Sequence, residues 1–395
     1  MKKTNNIYIF ALGATGEGIS GGDRIFIEFT RRWSEKIKLE IYTSQSGKRM
    51  CEVSNLPKHV VIHPYKFGIL EYLHKILLGI FLGLTLKIDD NSIVYSASEF
   101  WMDSLPALIL KLRFPNIKWV ASWYQTAPNP VLGFWGGRSR LRALAYWLVQ
   151  LPIKPLVSRF ADFILINNEN EKRHFQEFEK KLIVVLGAVD IQKINKYKLP
   201  ARNASHNDAG GKITNLPKIY DAVFQGRFHP QKGVVELIKI WRLVVDKMPK
   251  AKLIMIGDGP LMGSVKFEIR NLKLEENVKL LGYVFDGDEK YKLFAQSKIV
   301  VHPALYDSGG MASAEAMAFS LPCVGFDLPA YDSYYPQGMI KAPIGNLELF
   351  AKNVISLLDN PNLRDKIGRE AVSMIYKNWS WDKRAQEVLN KIILK

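Results

Sequence analysis

Cysteine is almost missing from this chain: Cys51 and Cys323 are the only two in 395 residues. Two isolated cysteines exclude a disulfide framework and a cysteine-based metal site. They suit a reducing compartment, so a cytoplasmic location is the expectation. Long apolar runs are missing as well. The longest apolar stretch, Phe67 to Ile88, is interrupted by Glu71, His74 and Lys75. About 11 uninterrupted apolar residues remain from Ile76 to Leu86, where ~20 span a bilayer, so a buried or interface-lying helix is expected. At the N-terminus, "MKKTNNIYIFALGATGEG" has only a short apolar run, broken by Asn5, Asn6 and glycines; it predicts a first strand rather than a signal peptide. Internal repeats and low-complexity tracts are absent. Acid is scarce: 38 Asp plus Glu stand against 55 Lys plus Arg, a net charge of +17. Such a surface attracts polyanions, whether nucleic acid, anionic lipid headgroups or phosphorylated small molecules.

What is present is the balance of a globular protein, 48% hydrophobic and 24% charged. The length predicts two domains of roughly 150–200 residues. Short β-rich runs alternate with longer helical patterns. Ile7–Leu12, Lys38–Thr43, Val60–His63, Ser92–Ser96, Lys118–Ser122, Asp162–Asn167 and Leu182–Leu186 read as strands. Asp23–Trp33, Leu70–Leu86, Trp101–Leu112 and Glu169–Phe178 read as helices between them. Alternation of this kind implies parallel sheets with crossover helices, an α/β fold. The pattern lapses over the polar segment Lys193–Asn215, with Pro200, Gly210 and Gly211, which reads as a linker. A second series follows, with strands at Asp221–Gln225, Lys252–Ile256, Val278–Leu281, Ile299–Val301 and Cys323–Gly325, and helices near Val234–Asp246, Glu289–Ala295 and Gly310–Phe319. The domains are therefore placed at 1–195 and 196–379. Open α/β sheets bind ligands at the carboxyl ends of their strands, so the loops there hold the chemistry.

Three glycine-bearing loops fall at such ends. After Ile7–Leu12 come Gly13, Gly16, Gly18, Gly21 and Gly22, and then a helix. Glycines admit a ligand close to the backbone, and a helix start favours negative charge, although a tight turn alone has the same composition. Asp23 and Arg24 follow, as acceptor contacts or as cap and surface charge. In "VFQGRFHPQKGVVELI", Gly226-Arg227 ends a strand and Lys232-Gly233 opens a helix. A planar guanidinium and a point-charge ammonium held there suit a diphosphate. In "HPALYDSGGMASAEAMAFSLP", Asp307, Ser308 and Gly309 stand at a helix entry, where Asp307 also suits a capping role. Glu315 lies inside an alanine-rich helix, so its carboxylate needs a partner: a ligand diol, an arginine or a backbone group. In the first half, "SASEFWMDSLPAL" carries Glu99, Trp101 and Asp103, and "WVASWYQTAPNP" carries Tyr124, Gln125 and Thr126. Trp101 suits either a sugar-stacking face or the core. The densest basic cluster sets Arg138, Arg140, Arg142, Lys154 and Arg159 around Trp147, Leu148, Val149 and Leu151. It reads equally as a membrane-surface helix or as a basic helix packing its apolar side on the core.

"GRFHPQKG", "LIMIGDGPL" and "HPALYDSGGMASAEAMAFSLPCVG", in that order, resemble the family 4 retaining glycosyltransferases of the GT-B fold. The likeness covers nearly the whole chain and is strongest over Phe224–Gly325. It implies two doubly wound Rossmann-like domains facing each other across a cleft, with the donor side mostly in the second and the acceptor side mostly in the first. It also implies a C-terminal helix, 380–395, returning to the first domain. By resemblance, Arg227 and Lys232 hold the donor diphosphate and stabilise the leaving nucleotide, and Glu315 binds the ribose. Asp307, in place of the first glutamate of the family's E-x7-E motif, lies near the transferred sugar. Gly226, at the strand exit, is a donor-binding residue with them. Amides of Gly309, Gly310 and Met311 touch sugar or phosphate, and Gly21 and Gly22 face the diphosphate. Acceptor-side candidates are Glu99, Trp101, Tyr124 and Gln125, and no histidine stands at the exit "WVASWYQTAPNP" where the family often has one.

The implied activity is transfer of a hexose-type sugar from a UDP- or GDP-sugar, with retention, to a glycan or lipid-linked saccharide, as in polysaccharide or lipopolysaccharide biosynthesis. No cofactor and no metal are implied beyond the nucleotide-sugar cosubstrate. An anionic membrane surface is a further expected partner, peripheral on the cytoplasmic face. The alternatives are a GT-B sugar-nucleotide epimerase or phosphorylase and, from another class, a basic nucleic-acid-binding protein. The last predicts clustered Lys/Arg with aromatic stacking faces, which the sequence lacks, so no nucleic acid is expected.

Overall fold

The computed structural model describes residues 6–14, 20–57, 59–62, 68–127, 129–130, 140–198, 216–284, 287–307 and 309–394. Gly16, Gly18, His63, Arg138, Ser308 and most of the polar linker lie outside the described residues. The chain divides into two compact units, each built on its own parallel sheet.

The first unit opens with β1 (Asn6–Ala11), α1 (Gly21–Ser34), β2 (Lys38–Ser44), α2 (Gln45–Val53), β3 (His59–Ile62) and α3 (Gly68–Thr85). It continues with β4 (Ile93–Ser96), α4 (Trp101–Arg113), β5 (Lys118–Ser122), α5 (Arg140–Phe160), β6 (Phe163–Ile166) and β7 (Leu182–Val184). The seven strands run in the order β3-β2-β1-β4-β5-β6-β7. Every residue of β4 and β6 is buried, as expected for strands covered on both faces. The helical expectation at Glu169–Phe178 becomes two 3₁₀ turns, Glu169–His174 and Gln176–Lys181. Phe175, at φ −136°, breaks the run between them. The Glu171 carboxylate anchors the first turn by accepting the Thr126 hydroxyl at 2.6 Å.

The second unit, from Ala188, holds α6 (Ile191–Lys198), β8 (Tyr220–Gln225), α7 (Val234–Lys247), β9 (Leu253–Ile256), α8 (Met262–Asn271) and β10 (Val278–Gly282). Then come α9 (Asp288–Ala295), β11 (Ser297–His302), α10 (Met311–Met317), β12 (Cys323–Phe326), α11 (Tyr331–Tyr334), β13 (Met339–Ala342), α12 (Leu347–Asp359) and α13 (Pro361–Asn378). Its six strands run β10-β9-β8-β11-β12-β13. On α7 the buried residues Val234, Leu237, Ile238, Trp241, Val244 and Val245 recur at three and four, an apolar stripe laid on the sheet. The units divide after Gly187, eight residues before the 195/196 boundary that composition places there. The reason is local. The Val189 amide donates to the Trp379 carbonyl at 2.9 Å and Val189 bridges Ser380, so the segment after Gly187 packs with the second unit.

The chain closes with α14 (Trp381–Leu394), which belongs to the first unit. The Trp33 indole on α1 donates to the Ala385 carbonyl at 2.9 Å, and the Trp381 ring meets Phe29 edge-on at 6.2 Å. Arg32 reaches Asp382 at 2.6 Å while also serving the buried Glu28 at 2.5 Å, an ion-pair network along this helix pair.

Candidate active site

In the second unit the strand order reverses between the neighbours β8 and β11. A sheet that changes direction there splays its two exit loops apart and leaves a crevice at the carboxyl ends. The loop after β8 carries Gly226 and Arg227 and tightens into a 3₁₀ turn at Pro230–Lys232. It ends at Gly233, whose φ of +60° is left-handed. A Cβ at Gly233 would stand 1.9 Å from the Pro303 carbonyl oxygen, so glycine alone lets this loop lie against the exit of β11. Backbone bonds fasten the two loops: Leu305 and Tyr306 both donate to the Gln231 carbonyl, at 2.9 and 3.3 Å.

That fastening brings Lys232 onto Asp307. The two form an ion pair, and Asp307 also takes the Gly309 amide at 3.2 Å and meets His302 Nε2 at 3.3 Å. Burial pushes the Asp307 carboxyl up, but the Lys232 charge and the His302 hydrogen bond outweigh it and hold the group well below the usual carboxylate range. His302 is buried, and burial, with the nearby Lys232 charge, lowers its pKa against the pull of Asp307. The site thus holds an ionised carboxylate beside an uncharged imidazole at neutral pH. Asp307 is no helix cap: α10 starts from Gly310, in the left-handed region, and has no side-chain cap bond. The Ser313 hydroxyl, at 3.1 Å, and the Tyr335 hydroxyl both donate to the Gly310 carbonyl and fix that turn. The Gly309 amide is committed to Asp307, while Met311 opens the helix, partly exposed.

Glu315 finds its partner inside the protein. Lys290 of α9 donates to Glu315 Oε2 at 2.5 Å, and the Gln225 amide donates to the same oxygen at 3.2 Å. The Lys290 side chain is 1% exposed, its ammonium lying 5.6 Å from the Tyr291 ring centroid and 5.8 Å from that of Phe294. Sequence reasoning anticipated an arginine, a backbone group or a ligand, and it missed this lysine. "GDEKYKLF" reads as a charged helix start, yet Lys290 stands four residues before the buried Phe294 and so shares its inward face. Gln225 Oε1 is buried and accepts no hydrogen bond among the described residues. Arg227, at the exit of β8, is exposed, and its side chain forms no ion pair among the described residues.

The first unit has its own reversal, between β1 and β4. Gly21 and Gly22 form the first turn of α1, where Ser20 and Asp23 cap each other: the Asp23 amide donates to Ser20 Oγ at 3.2 Å and the Ser20 amide to Asp23 Oδ2 at 2.9 Å. Asp23 is therefore a cap, and Arg24 pairs with Glu28 at 3.6 Å. A Cβ on Gly22 would lie 2.9 Å from the Tyr124 ring, so this glycine serves close packing. The Tyr124 hydroxyl is buried in a triangle with Ser122 and Tyr95, at 3.0 and 3.2 Å. The Gln125 carbonyl accepts from the Gln150 amide at 3.0 Å. Trp101 is half-buried and ties α4 to α5 by donating to the Val149 carbonyl at 2.8 Å. Asp103 accepts the Leu12 and Gly13 amides at 2.6 and 3.1 Å, which holds the exit of β1. Glu99 accepts the Tyr146 hydroxyl at 3.0 Å, and burial pushes its pKa up to about 7.

Residues 212–374 match the family described as Glycosyl transferases group 1. The chain is similar to the poly(glycerol-phosphate) alpha-glucosyltransferase of Bacillus subtilis (strain 168), 27% identical over 173 residues, 42% of this chain and 25% of that protein. It is similar to the UDP-Gal:alpha-D-GlcNAc-diphosphoundecaprenol alpha-1,3-galactosyltransferase of Escherichia coli, 26% identical over 168 residues, 41% of each chain. The matched stretches span between a quarter and less than two thirds of the first curated relatives' own lengths. A crystal structure of Anabaena Alr3699/HepE in complex with UDP and glucose superposes with a TM-score of 0.73 at 17% identity, over 99% of this chain and 100% of that one. The fold is GT-B, with two Rossmann-like units.

The buried pair gives a first test. In Lys290→Met the Glu315 carboxylate, itself 18% exposed, loses its cation, a loss of up to roughly 3 kcal/mol, the lower end for one partner removed from a buried pair. Denaturant unfolding should show that loss. The double variant Lys290→Met/Glu315→Gln should recover part of it, because neither charge then stands alone.

Proposed function

We propose that the chain is a retaining, metal-independent glycosyltransferase that moves a hexose-type sugar from a UDP-sugar to an anionic glycan or a lipid-linked saccharide. The observation that carries this reading is the second unit's reversal point, where Arg227 and Lys232 leave β8 beside an Asp307–Glu315 pair leaving β11. The match of residues 212–374 to group 1 glycosyltransferases supports it. UDP is favoured over GDP because UDP is the nucleotide named in the Anabaena complex. The α-linkage and UDP-galactose donor named for the Escherichia relative support retention, since galactose in UDP-galactose is itself α-linked.

In this reading the donor's phosphate gathers charge as the sugar–oxygen bond lengthens. Arg227 offers a fork of N–H donors and Lys232 a mobile ammonium, and both act more strongly on the departing diphosphate than on the intact donor. Neither needs a divalent ion to do so. Lys232 leaves Asp307 to reach phosphate, and the freed carboxylate accepts a hydroxyl of the transferred sugar. Glu315 spends Oε2 on Lys290 and Gln225, which leaves Oε1 for the ribose diol. The departing phosphate accepts the acceptor's proton, so the retaining step requires no separate base. On the acceptor side, the names of the relatives point to poly(glycerol-phosphate) and to a diphosphate-linked lipid, both polyanions, and the +17 chain draws such partners.

Arg227→Ala and Lys232→Ala should each lower turnover by ~10²-fold or more, the scale of a lost transition-state electrostatic contact. Glu315→Ala should abolish the thermal stabilisation that UDP gives the wild type; a variant still stabilised by UDP would remove Glu315 from the site. Activity should persist in excess EDTA, whereas strong inhibition would place the diphosphate on a metal ion. A panel of UDP- and GDP-sugars assayed for donor hydrolysis should show turnover with UDP donors.

A further inference from the structure

The first unit's helices α3, α4 and α5 form one layer, α4 packing on both neighbours. Among the described residues the outer faces of α3 and α5 carry exposed apolar side chains. On α3 the exposed residues are Leu70, Leu73, Leu77, Phe81 and Leu84, with Leu77 63% and Phe81 61% exposed. On α5 they are Leu141, Leu144, Leu148 and Leu151, with Leu141 80% and Leu148 49% exposed. Both sets recur at three and four residues, so each lies within an arc of about 80° along its helix. Leu112, 58% exposed, adds a further apolar side chain on α4 between them. Single exposed leucines are ordinary, but nine exposed apolar side chains on two helices that both pack on α4 are more than scatter.

Charge decides what covers it. From Ser104 to Ala161 the chain has eight Lys or Arg and no Asp or Glu. Among the described side chains Arg113 and Arg159 are exposed, while Lys111 is held by Asp162, Lys118 by the Ile392 and Ile393 carbonyls, and Lys154 lies over the Phe175 ring. On α3 the single acid, Glu71, is neutralised by Lys75 at 2.9 Å. A second copy of this chain would set like charge against like charge across the same face, at +17 per copy. Among the described residues no helix is long and apolar enough to cross a membrane. Apolar stripes on helices that do not span, beside the exposed Arg113 and Arg159 and within an acid-free stretch, are the pattern of a surface lying in the bilayer interface, its leucines among acyl chains and its arginines at anionic headgroups.

We infer that the α3/α5 face of the first unit docks on an anionic lipid bilayer. This inference stands apart from the sugar-transfer reading, because none of its residues belongs to the donor machinery. It also separates the two readings of the basic helix: Ile153 and Val157 are buried and serve the core, while Leu141, Leu144, Leu148 and Leu151 face outward.

The test is co-sedimentation of the full chain with vesicles of phosphatidylglycerol mixed into phosphatidylcholine, beside pure phosphatidylcholine. The wild type should pellet with the anionic vesicles, bind the neutral ones at least ~10-fold more weakly, and lose binding as salt rises. Leu77→Glu/Phe81→Glu and, separately, Leu144→Glu/Leu148→Glu should each cut anionic-vesicle binding by ~10-fold or more at an unchanged melting temperature. The milder Leu77→Ala/Phe81→Ala pair guards against misfolding and should weaken binding in the same direction. A wild type that stays in the supernatant, or variants that pellet like it, would overturn the inference. So would self-association of the wild type that these substitutions dissolve without affecting vesicle binding.

Discussion

Two backbone hydrogen bonds onto one carbonyl set the electrostatics of the donor side. Leu305 and Tyr306 donate to Gln231, and by doing so they lay the loop after β8 along the exit of β11. Lys232 is then paired with Asp307, and Asp307 becomes a carboxylate that stays ionised although it is largely buried. The left-handed Gly233 makes the approach feasible, since any side chain there would collide with Pro303. A mobile ammonium parked on a fixed carboxylate is a reversible arrangement: a diphosphate that outbids Asp307 gains the cation and frees a hydrogen-bond acceptor in one step. Arg227, exposed and without such a counterion among the described residues, is available from the outset.

The second carboxylate is held differently. Glu315 is fixed from beneath by Lys290 and Gln225, both on one of its oxygens. Such an arrangement removes rotamer freedom from the carboxylate before any ligand arrives, which is how a buried ion pair serves orientation even where its net contribution to stability is small. Gln225 Oε1 and the Tyr331 hydroxyl, both buried and without a partner among the described residues, lie in the same unit. The first unit uses its buried acids for support instead: Asp103 grips the exit of β1, and Glu171 anchors the turn after β6 to Thr126. Its outward-facing leucines and acid-free stretch point away from this supporting role, toward a surface.

Much of this was legible in the sequence because parallel α/β folds write their elements in alternation. The strands through β12 stand within a few residues of where β-rich runs placed them; Arg227, Lys232 and Asp307 stood out near glycines at strand exits, and Glu315 as a carboxylate inside an alanine-rich helix. What escaped has physical causes. β13 is four residues, Met339–Ala342, with a lysine inside, too short to show a period. α2, "QSGKRMCEV", carries a glycine and few apolar residues and forms by packing on β2 and β3. Lys290 was hidden because a lysine in a charged helix start reads as solvated, and only its spacing from Phe294 turns it inward. Asp23 and Trp101 each read either as a ligand contact or as a structural group, and in the fold Asp23 caps α1 and Trp101 braces α4 against α5. Long-range partnership, such as Lys290 to Glu315 or Val189 to Trp379, has no local signature at all.

The central claim is that Asp307 holds Lys232 in reserve for a diphosphate. Calorimetric titration of UDP into the wild type and into Asp307→Asn tests it directly. With the competing carboxylate gone, Lys232 is free to meet the phosphates, so the account predicts tighter UDP binding in Asp307→Asn. Unchanged or weaker binding in that variant would contradict it, and would mean that Lys232 and Asp307 form a structural pair that the nucleotide never opens.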